Sequence, residues 1–315
     1  MPALNRLNAV FLDYASLRPA DLDISALESL PVHLLRHDHS SGAETLARLR
    51  DADIAISNKV VIDAAVIAAC PRLKLIAVPA TGLNNIDLHA AHARHITVAN
   101  VSGYGTRAVA QHTFALMLAL CNHLRDYTRD AVNGRWSASP DFCLMDYPIR
   151  DLANSTLGII GYGELGRAVA SIAEAFGMHV LIAESSTGPA DGRSSLDSVL
   201  QQSDIVSLHC LLSPRTEKLI NAGRLAQMKR GALLINTARG GLIDETALVA
   251  ALRSGQLGGA ALDVLSVEPP PANHPLLATD IPHLLITPHC AWSSRGARQR
   301  LLDATVENIR HFIAP

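Results

Sequence analysis

Short apolar runs alternate with segments of helical periodicity along most of the chain. In the first third, five apolar runs predict strands at 9–12, 32–35, 54–57, 75–78 and 96–99. Four segments between them, at 21–30, 43–50, 63–69 and 88–94, carry the spacing of helices. Strands that alternate with helices in this way predict a parallel sheet that is covered on both faces.

The alternation stops after residue 105 and resumes at 156. Residues 107–125 predict one long helix that is apolar nearly all round, and such a helix is buried. Residues 133–153 form an irregular arm with Trp136, Phe142 and Tyr147. A loop of this length usually covers a surface, and a second subunit is one candidate for it.

The remainder of the chain returns to alternating strands and helices. Strands are predicted at 156–160, 179–183, 204–208, 231–236, 258–263 and 283–286. Helices are predicted at 164–176, 195–202 and 244–254, and a final amphipathic helix at 295–312.

The first strand of this second series leads into Gly161, Gly163 and Gly166, in G-x-G-x-x-G spacing. A helix, a second strand and then Glu184 follow in the order that a dinucleotide-binding unit requires. The first glycine allows a tight turn, the second lets the backbone approach a pyrophosphate, and the third lets helix and strand pack closely. Free N–H groups at the helix N-terminus face the phosphates.

Glu184 stands where an acid would accept hydrogen bonds from the adenosine ribose, and its charge would repel a 2′-phosphate. It therefore favours NAD over NADP. A solvated carboxylate at the end of a strand is the alternative interpretation.

Length, composition and charge narrow the class of protein. A chain of 315 residues is longer than one core usually serves, so two domains are expected. Hydrophobic content of 49% and charged content of 18% are typical of a compact soluble protein. A net charge of −2 without a long basic run gives no reason to expect a nucleic acid or an anionic membrane as partner.

The five cysteines are scattered, odd in number and without C-x-x-C spacing. Neither a disulfide framework nor a metal site is predicted from them, and a reducing cytoplasm is the simplest setting. No secretory signal pattern and no apolar run of membrane-spanning length is visible, which also favours a cytoplasmic protein.

Three polar side chains follow three strands of the second series. Arg239 comes after 231–236, Glu268 after 258–263 and His289 after 283–286. Ligands of open parallel sheets bind beyond the carboxyl ends of the strands, so these residues are expected to converge beside the dinucleotide. A guanidinium fork can hold a 2-oxo acid, an imidazolium can donate a proton near pH 7, and a carboxylate can orient that imidazole.

Each of these residues also has a structural interpretation. Arg239 could be a surface turn residue, Glu268 a solvated loop charge, and His289 is one of fourteen histidines. Asp263 could cap the turn that follows it or accept a hydrogen bond from a nicotinamide amide. The joint placement favours the catalytic interpretation.

The loop 79–87 of the first series follows a predicted strand. Thr81 and Gly82 could turn backbone N–H groups towards a small anion such as a carboxylate. An ordinary turn with Asn and Asp capping the next helix explains the loop equally well.

At these residues the chain resembles the D-isomer-specific 2-hydroxyacid dehydrogenases. The matching stretches are ATGLNNID (80–87), TLGIIGYGELG (156–166), SDIVSLHCLLSPRT (203–216), MKRGALLINTARGGLID (228–244), ALDVLSVEP (261–269) and TPHCAWSS (287–294). The resemblance implies an α/β fold of two parallel-sheet domains, Rossmann-like or flavodoxin-like, joined by a hinge. Residues 1–101 plus 289–315 would form the substrate domain and 102–288 the NAD-binding domain. A homodimer would form through the helix 106–125 and the arm 133–153.

The resemblance also implies roles for single residues. Arg239, Glu268 and His289 would be the catalytic set, and backbone groups of Thr81 and Gly82 would bind the substrate carboxylate. Trp292 would wall the substrate pocket, although a buried interface tryptophan is the alternative. The residues expected at the cofactor are Thr106, Gly161, Gly163, Glu164, Leu165, Gly166, Glu184, Thr216, Thr237, Ala238 and Asp263.

Within the family, the segments YGTRAVAQH, DYP and HCAW are most similar to the glycerate dehydrogenase (hydroxypyruvate reductase) branch. The resemblance therefore implies reduction of hydroxypyruvate or glyoxylate with NADH, with His289 as the proton donor. A broader 2-ketoacid reductase of the D-lactate type is the second expectation. An NAD-sensing corepressor-like binding protein is the alternative from a different class.

Overall fold

The computed structural model describes residues 6–185 and 193–314 and divides the chain into two compact units. The N-terminal unit consists of Met1–Gly105 and Ser293–Pro315, and the central unit is Thr106–Trp292. The two predicted domain boundaries, at residues 101 and 289, each lie a few residues before the boundaries between these units.

The N-terminal unit is built on a parallel sheet of five strands in the order β2-β1-β3-β4-β5. The strands are β1 (Asn8–Phe11), β2 (His33–Arg36), β3 (Ile54–Ile56), β4 (Leu75–Val78) and β5 (Thr97–Asn100). Its helices are α1 (Ser25–Glu28), α2 (Gly42–Leu49), α3 (Ala64–Ala69), α4 (Leu88–Ala93) and, from the end of the chain, α11 (Arg295–Ile313). The central strands β3 and β4 are buried along their whole length, as their uninterrupted apolar sequences require.

The central unit opens with two helices, α5 (Thr106–Cys121) and α6 (Leu124–Val132), and continues as a parallel sheet of six strands in the order β11-β10-β9-β8-β6-β7. The strands are β6 (Thr156–Ile160), β7 (His179–Ile182), β8 (Ile205–Leu208), β9 (Ala232–Asn236), β10 (Leu257–Leu262) and β11 (Leu284–Ile286). The helices between them are α7 (Glu164–Ala175), α8 (Leu196–Gln202), α9 (Ala222–Gln227) and α10 (Glu245–Arg253). Two parallel α/β sheets are the predicted fold class, which is confirmed.

Two apolar cores lie on opposite faces of the central sheet. Ile159 packs with Phe114 of α5 and Val169 of α7, whereas its neighbour Ile160 packs in the cluster that contains Val199 of α8. Successive strand residues point to opposite faces, so helices on both sides are needed to bury them. The carboxyl ends of the six parallel strands lie at one edge of the sheet, and Arg239, Glu268 and His289 follow strands at this edge.

The prediction of one helix over 107–125 is wrong in its last turn. The helix α5 ends at Cys121, and the chain turns at His123, whose φ of 47° lies in the left-handed region. The separate helix α6 follows, and it was not predicted because no glycine or proline marks the break between the two helices. The short helix α9, capped by Asn221, was also missed.

Among the described residues, no helix is long and apolar enough to cross a bilayer.

Candidate active site

The glycine turn, residues 161–166, follows β6 at the carboxyl edge of the central sheet. Gly161 has φ of +96°, and a Cβ there would lie 2.4 Å from the backbone nitrogen of Cys210. A Cβ on Gly166 would lie 2.1 Å from the carbonyl oxygen of Gly161. A Cβ on Gly163 would meet nothing within 4 Å. The first and third glycines are therefore required by packing inside the unit, whereas the second borders open space.

Glu184 lies at the same edge, just beyond β7, which pairs with β6. Its side chain is exposed, and its backbone N–H donates to the carbonyl oxygen of Ser194 at 2.8 Å. Parallel pairing of β6 and β7 thus brings an acidic side chain beside the glycine turn.

His209, which follows β8, lies at the same edge and was not singled out from the sequence, although the stretch SLHC contains it. Its Nε2 lies 2.8 Å from the hydroxyl oxygen of Ser207, and its buried Nδ1 has no hydrogen-bond partner among the described residues. Burial lowers the pKa of His209 to about 4, so the ring is neutral at pH 7. Its carbonyl carbon would lie 2.5 Å from a Cβ on Gly161, so His209 borders the glycine turn.

Glu268 and His289 form a close pair at the other end of this edge. The Nδ1 atom of His289 lies 2.6 Å from Oε2 of Glu268, and the N–H of Leu265 donates to Oε1 at 2.9 Å. The His289 side chain is 28% exposed and the Glu268 side chain is 34% exposed, so the pair is reachable from solvent. Because Nδ1 faces a carboxylate, Nδ1 carries the ring proton that is donated to Glu268. Nε2 is therefore the atom that can exchange a proton with a ligand.

The histidine turn, residues 287–292, is held by Asp263 at the end of β10. The Asp263 carbonyl oxygen accepts the N–H of His289 at 2.8 Å. Its Oδ1 accepts the hydroxyl of Thr287 at 2.6 Å and the N–H of Cys290 at 2.9 Å, and its Oδ2 accepts the N–H of Ala291 at 2.9 Å. These bonds hold His289 at its left-handed φ of 51°. Of the two roles considered for Asp263, capping the turn is therefore observed, and the nicotinamide contact stays a prediction.

His112 of α5 extends this network and was not singled out from the sequence. Its Nε2 lies 2.9 Å from the hydroxyl oxygen of Thr287 and 3.5 Å from Oδ1 of Asp263. Since the Thr287 hydroxyl donates to Asp263, His112 is the donor to Thr287. The turn is thus tied to α5 as well as to β10.

Arg239 leaves the neighbouring strand β9 in a loop shaped by Asn236. The Asn236 side-chain amide donates to the Arg239 carbonyl oxygen at 2.8 Å, and its side-chain oxygen accepts the N–H of Ala238 at 3.0 Å. A Cβ on Gly240 would lie 1.9 Å from the carbonyl carbon of Leu265, so the loop packs backbone to backbone against the segment that leads to Glu268. The half-buried Arg239 guanidinium donates to the Ala238 carbonyl at 2.7 Å. The three candidate residues thus follow β9, β10 and β11, which are adjacent strands.

Several predicted cofactor residues have hydroxyl groups that are engaged within the central unit. Thr106 donates to Oε1 of Glu164 at 2.6 Å, and the buried Thr237 hydroxyl lies 3.0 Å from that of Thr113. Thr216 donates to the carbonyl oxygen of Leu211 at 2.6 Å, within its own loop.

The predicted substrate-binding residues belong to different units. Trp292 ends the central unit and donates from Nε1 to the His289 carbonyl oxygen at 3.0 Å. Thr81 and Gly82 follow β4 of the N-terminal unit, where the Thr81 hydroxyl donates to Val101 at 3.0 Å. Their backbone N–H groups lie at the carboxyl edge of that sheet.

The sequence matches a known protein family and several known proteins. Residues 114–291 match the sequence profile described as "D-isomer specific 2-hydroxyacid dehydrogenase, NAD binding domain". The chain is similar to a glycerate dehydrogenase of Methylorubrum extorquens, with 47% identity over 86% of each protein. It is also similar to a hydroxypyruvate reductase of Blautia hydrogenotrophica, with 39% identity over 98% of this chain and 97% of that protein.

Among solved structures, the crystal structure of D-lactate dehydrogenase from Aquifex aeolicus complexed with NAD and lactic acid is similar, with a TM-score of 0.82 and 29% identity. The alignment covers 97% of this chain and 95% of that one. These similarities define an NAD-dependent oxidoreductase. The chain belongs to the D-isomer-specific 2-hydroxyacid dehydrogenase family.

Proposed function

We propose that this protein reduces hydroxypyruvate to D-glycerate, and glyoxylate to glycolate, with NADH as the hydride donor. The observation that carries the proposal is the 2.6 Å contact between Nδ1 of His289 and Oε2 of Glu268. It leaves Nε2 of an oriented imidazole available at the edge of a dinucleotide-binding sheet. The relatives named glycerate dehydrogenase and hydroxypyruvate reductase support the choice of substrate.

The glycine turn fits the pyrophosphate of the cofactor. Open space in front of Gly163 admits a phosphate, and the first N–H groups of α7 are directed to the same place. Bound NADH supplies the hydride, and the protein supplies placement and electrostatics. The remaining residues proposed at the cofactor are Thr106, Glu164, Leu165, Thr216, Thr237, Ala238 and Asp263.

Three side chains divide the work on the 2-oxo acid. The Arg239 guanidinium presents a fork that binds the carboxylate and the carbonyl oxygen. His289 donates a proton from Nε2 to the oxygen that becomes the hydroxyl, and Glu268 keeps the ring oriented. Backbone groups of Thr81 and Gly82 bind the substrate carboxylate, which makes the N-terminal unit the substrate domain, and Trp292 walls the pocket.

Glu184 supports a preference for NADH over NADPH. Its carboxylate lies beside the glycine turn, where it accepts hydrogen bonds from ribose hydroxyls and repels a 2′-phosphate.

The arm supports assembly as a homodimer through α5, α6 and residues 133–153. Phe142 is 90% exposed and Met145 is 87% exposed, which is unusual for side chains of this size. In the same unit, an apolar groove of about 530 Å³ is lined by Ala119, Leu124 and Val132, among others. Light scattering should give twice the 33.6 kDa chain mass, and Phe142→Asp with Met145→Asp should give the single mass. The cysteines form no disulfide among the described residues, which is compatible with the reducing cytoplasm that we propose as the location.

A panel of 2-oxo acids assayed with NADH and with NADPH tests the function. We expect the highest kcat/KM with hydroxypyruvate, then glyoxylate, and lower values with pyruvate and longer 2-oxo acids. Comparable values across the panel would favour the broader D-lactate-type reductase. NADH binding without oxidation by any acid would favour a corepressor-like binding protein.

A further inference from the structure

The segment that carries Glu268 is attached to α10 by a second glutamate. Glu245 is the first residue of α10, and its Oε1 accepts the N–H of Ser266 at 2.7 Å. Its Oε2 accepts the hydroxyl of Ser266 at 2.6 Å. Ser266 lies two residues before Glu268 and next to Leu265, whose N–H binds the Glu268 carboxylate. One carboxylate thus fixes the backbone from which the other projects.

The same Glu245 carboxylate also binds His274, near the other end of the segment 265–276 that carries Glu268. Nε2 of His274 lies 3.3 Å from Oε2 of Glu245, and the two side chains are only 7% and 16% exposed. Nδ1 of His274 accepts the N–H of Leu276 at 3.3 Å, so the ring proton is on Nε2 and points at Glu245. Glu245 therefore receives donors from positions 266 and 274, on both sides of Glu268.

The three contacts of Glu245 are not explained by capping of the helix α10. The N-cap of α10 is supplied by Asp244, which accepts the N–H of Ala247 at 3.1 Å. Glu245 is thus not required as the cap, and its two oxygens are directed to the loop. A misplacement of about 1 Å in a proton-transfer group can lower turnover by as much as about 10²-fold, so control of this loop matters for catalysis.

We propose that Glu245, together with His274, is a positioning residue that holds Glu268 in hydrogen-bonding distance of His289. The proposal rests on the proposed function. Neither residue touches the substrate or the cofactor; both act through the backbone of residues 265–276.

Three variants, one at Glu245 and two at His274, test the proposal in the full-length enzyme. Glu245→Ala removes all three contacts and should lower kcat for hydroxypyruvate about tenfold with an unchanged KM for NADH. Loss of the Glu268 contact leaves the His289 ring without a fixed orientation, so the loss should appear in kcat rather than in NADH binding. His274→Asn keeps an acceptor for Leu276 but cannot reach Glu245, whereas His274→Gln places an amide donor near Glu245. The glutamine variant should retain more activity than the asparagine variant.

A variant that loses only stability would show a different pattern. If Glu245→Ala lowers Tm but leaves kcat unchanged, or if the two His274 variants are equally impaired, the positioning role is wrong. The control is Asp197→Asn, which removes an exposed first-turn carboxylate from α8 and should change none of these quantities.

A readout without turnover separates this inference from the proposed function. Protein with ¹³C-labelled histidine reports the His289 ring, assigned by the signal that His289→Ala removes. Glu245→Ala should shift that signal, whereas Asp197→Asn should not. If the wild type reduces no 2-oxo acid, the proposed function fails, and an unchanged His289 signal would separately overturn the positioning role.

Discussion

The glycine turn and the histidine turn lie at the same edge of the central sheet, but they are built on opposite principles. Both contain a residue in the left-handed region, Gly161 at φ +96° and His289 at φ 51°. Gly161 occupies its position because any side chain would collide with the backbone of Cys210. His289 carries a side chain in this backbone conformation, and hydrogen bonds to Asp263 hold it there.

Under the proposed function, this difference separates a site that binds the cofactor from a site that transfers a proton. The glycine turn offers backbone N–H groups and space, which suit a phosphate. The histidine turn offers one oriented ring, and its support comes from Asp263 on another strand and from His112 on α5. Changes in the first turn should therefore act on NADH affinity, and changes in the second on turnover.

The largest expected effect is on the histidine side. His289→Ala should lower kcat for hydroxypyruvate about 10³-fold, because loss of a general acid costs about 10²–10⁴-fold. NADH binding, followed by fluorescence, should change by less than about twofold, because the glycine turn is left intact. The control is His311→Ala, which removes a histidine that is 81% exposed. Turnover within tenfold of the wild type would exclude His289 as the proton donor.

The second largest effect concerns His209, which borders the glycine turn. Its pKa of about 4 in the folded protein lies below the usual value of 6.5, so between these values the unfolded chain binds more protons. The contribution of neutral His209 is complete above pH 6.5 and is lost as the pH falls towards 4. At about 1.4 kcal/mol per pH unit, the loss amounts to about 3 kcal/mol in the free energy of unfolding.

Urea unfolding at a series of pH values measures this contribution. His209→Gln removes the titrating group, so its stability should fall less between pH 6.5 and 4 than that of the wild type. His311→Gln should follow the wild-type curve because that ring is exposed. Identical curves for wild type and His209→Gln would show that burial of His209 does not penalise its charged form.

The features that could be predicted from the sequence are those that depend on neighbouring residues or on the order of the strands. The strands and the glycine turn were predictable because apolar runs and steric requirements are local, and each leaves a pattern in neighbouring residues. The approach of Glu268 to His289 was predictable because parallel strands bring their carboxyl ends to one edge. Their catalytic roles stay predictions.

The supports of the site were not predictable, because they join distant positions. Asp263 binds residues 287–291, and Glu245 binds Ser266 and His274. None of these spacings forms a local motif. The helix α6 was missed for a related reason, since the chain turns at His123 without a glycine.

The next largest effects are expected from two glycine substitutions, which separate the role of the glycine turn in packing from its proposed role in binding NADH. Gly166→Ala puts a Cβ 2.1 Å from the Gly161 carbonyl oxygen, so we expect a loss of about 3 kcal/mol in stability from overpacking. Gly163→Ala meets no protein atom within 4 Å and should leave Tm nearly unchanged. Its methyl group occupies the space in front of the turn, so NADH affinity should fall about tenfold, or about 1.4 kcal/mol. Calorimetric titration and thermal unfolding measure both quantities, and equal loss of stability in the two variants would contradict the division.

The smallest expected effect is on cofactor choice, at the exposed Glu184 beside the glycine turn. Glu184→Ala should reduce the ratio of kcat/KM for NADH over NADPH about fivefold, because screened repulsion of a phosphate near the surface is worth about 1 kcal/mol. Glu184→Gln separates the two contributions, since it keeps an acceptor for the ribose hydroxyls and removes only the charge. If repulsion dominates, the glutamine variant should gain activity with NADPH while keeping its KM for NADH. An unchanged ratio in both variants would place cofactor choice elsewhere and would leave the glycine turn as a pyrophosphate site without discrimination of its own.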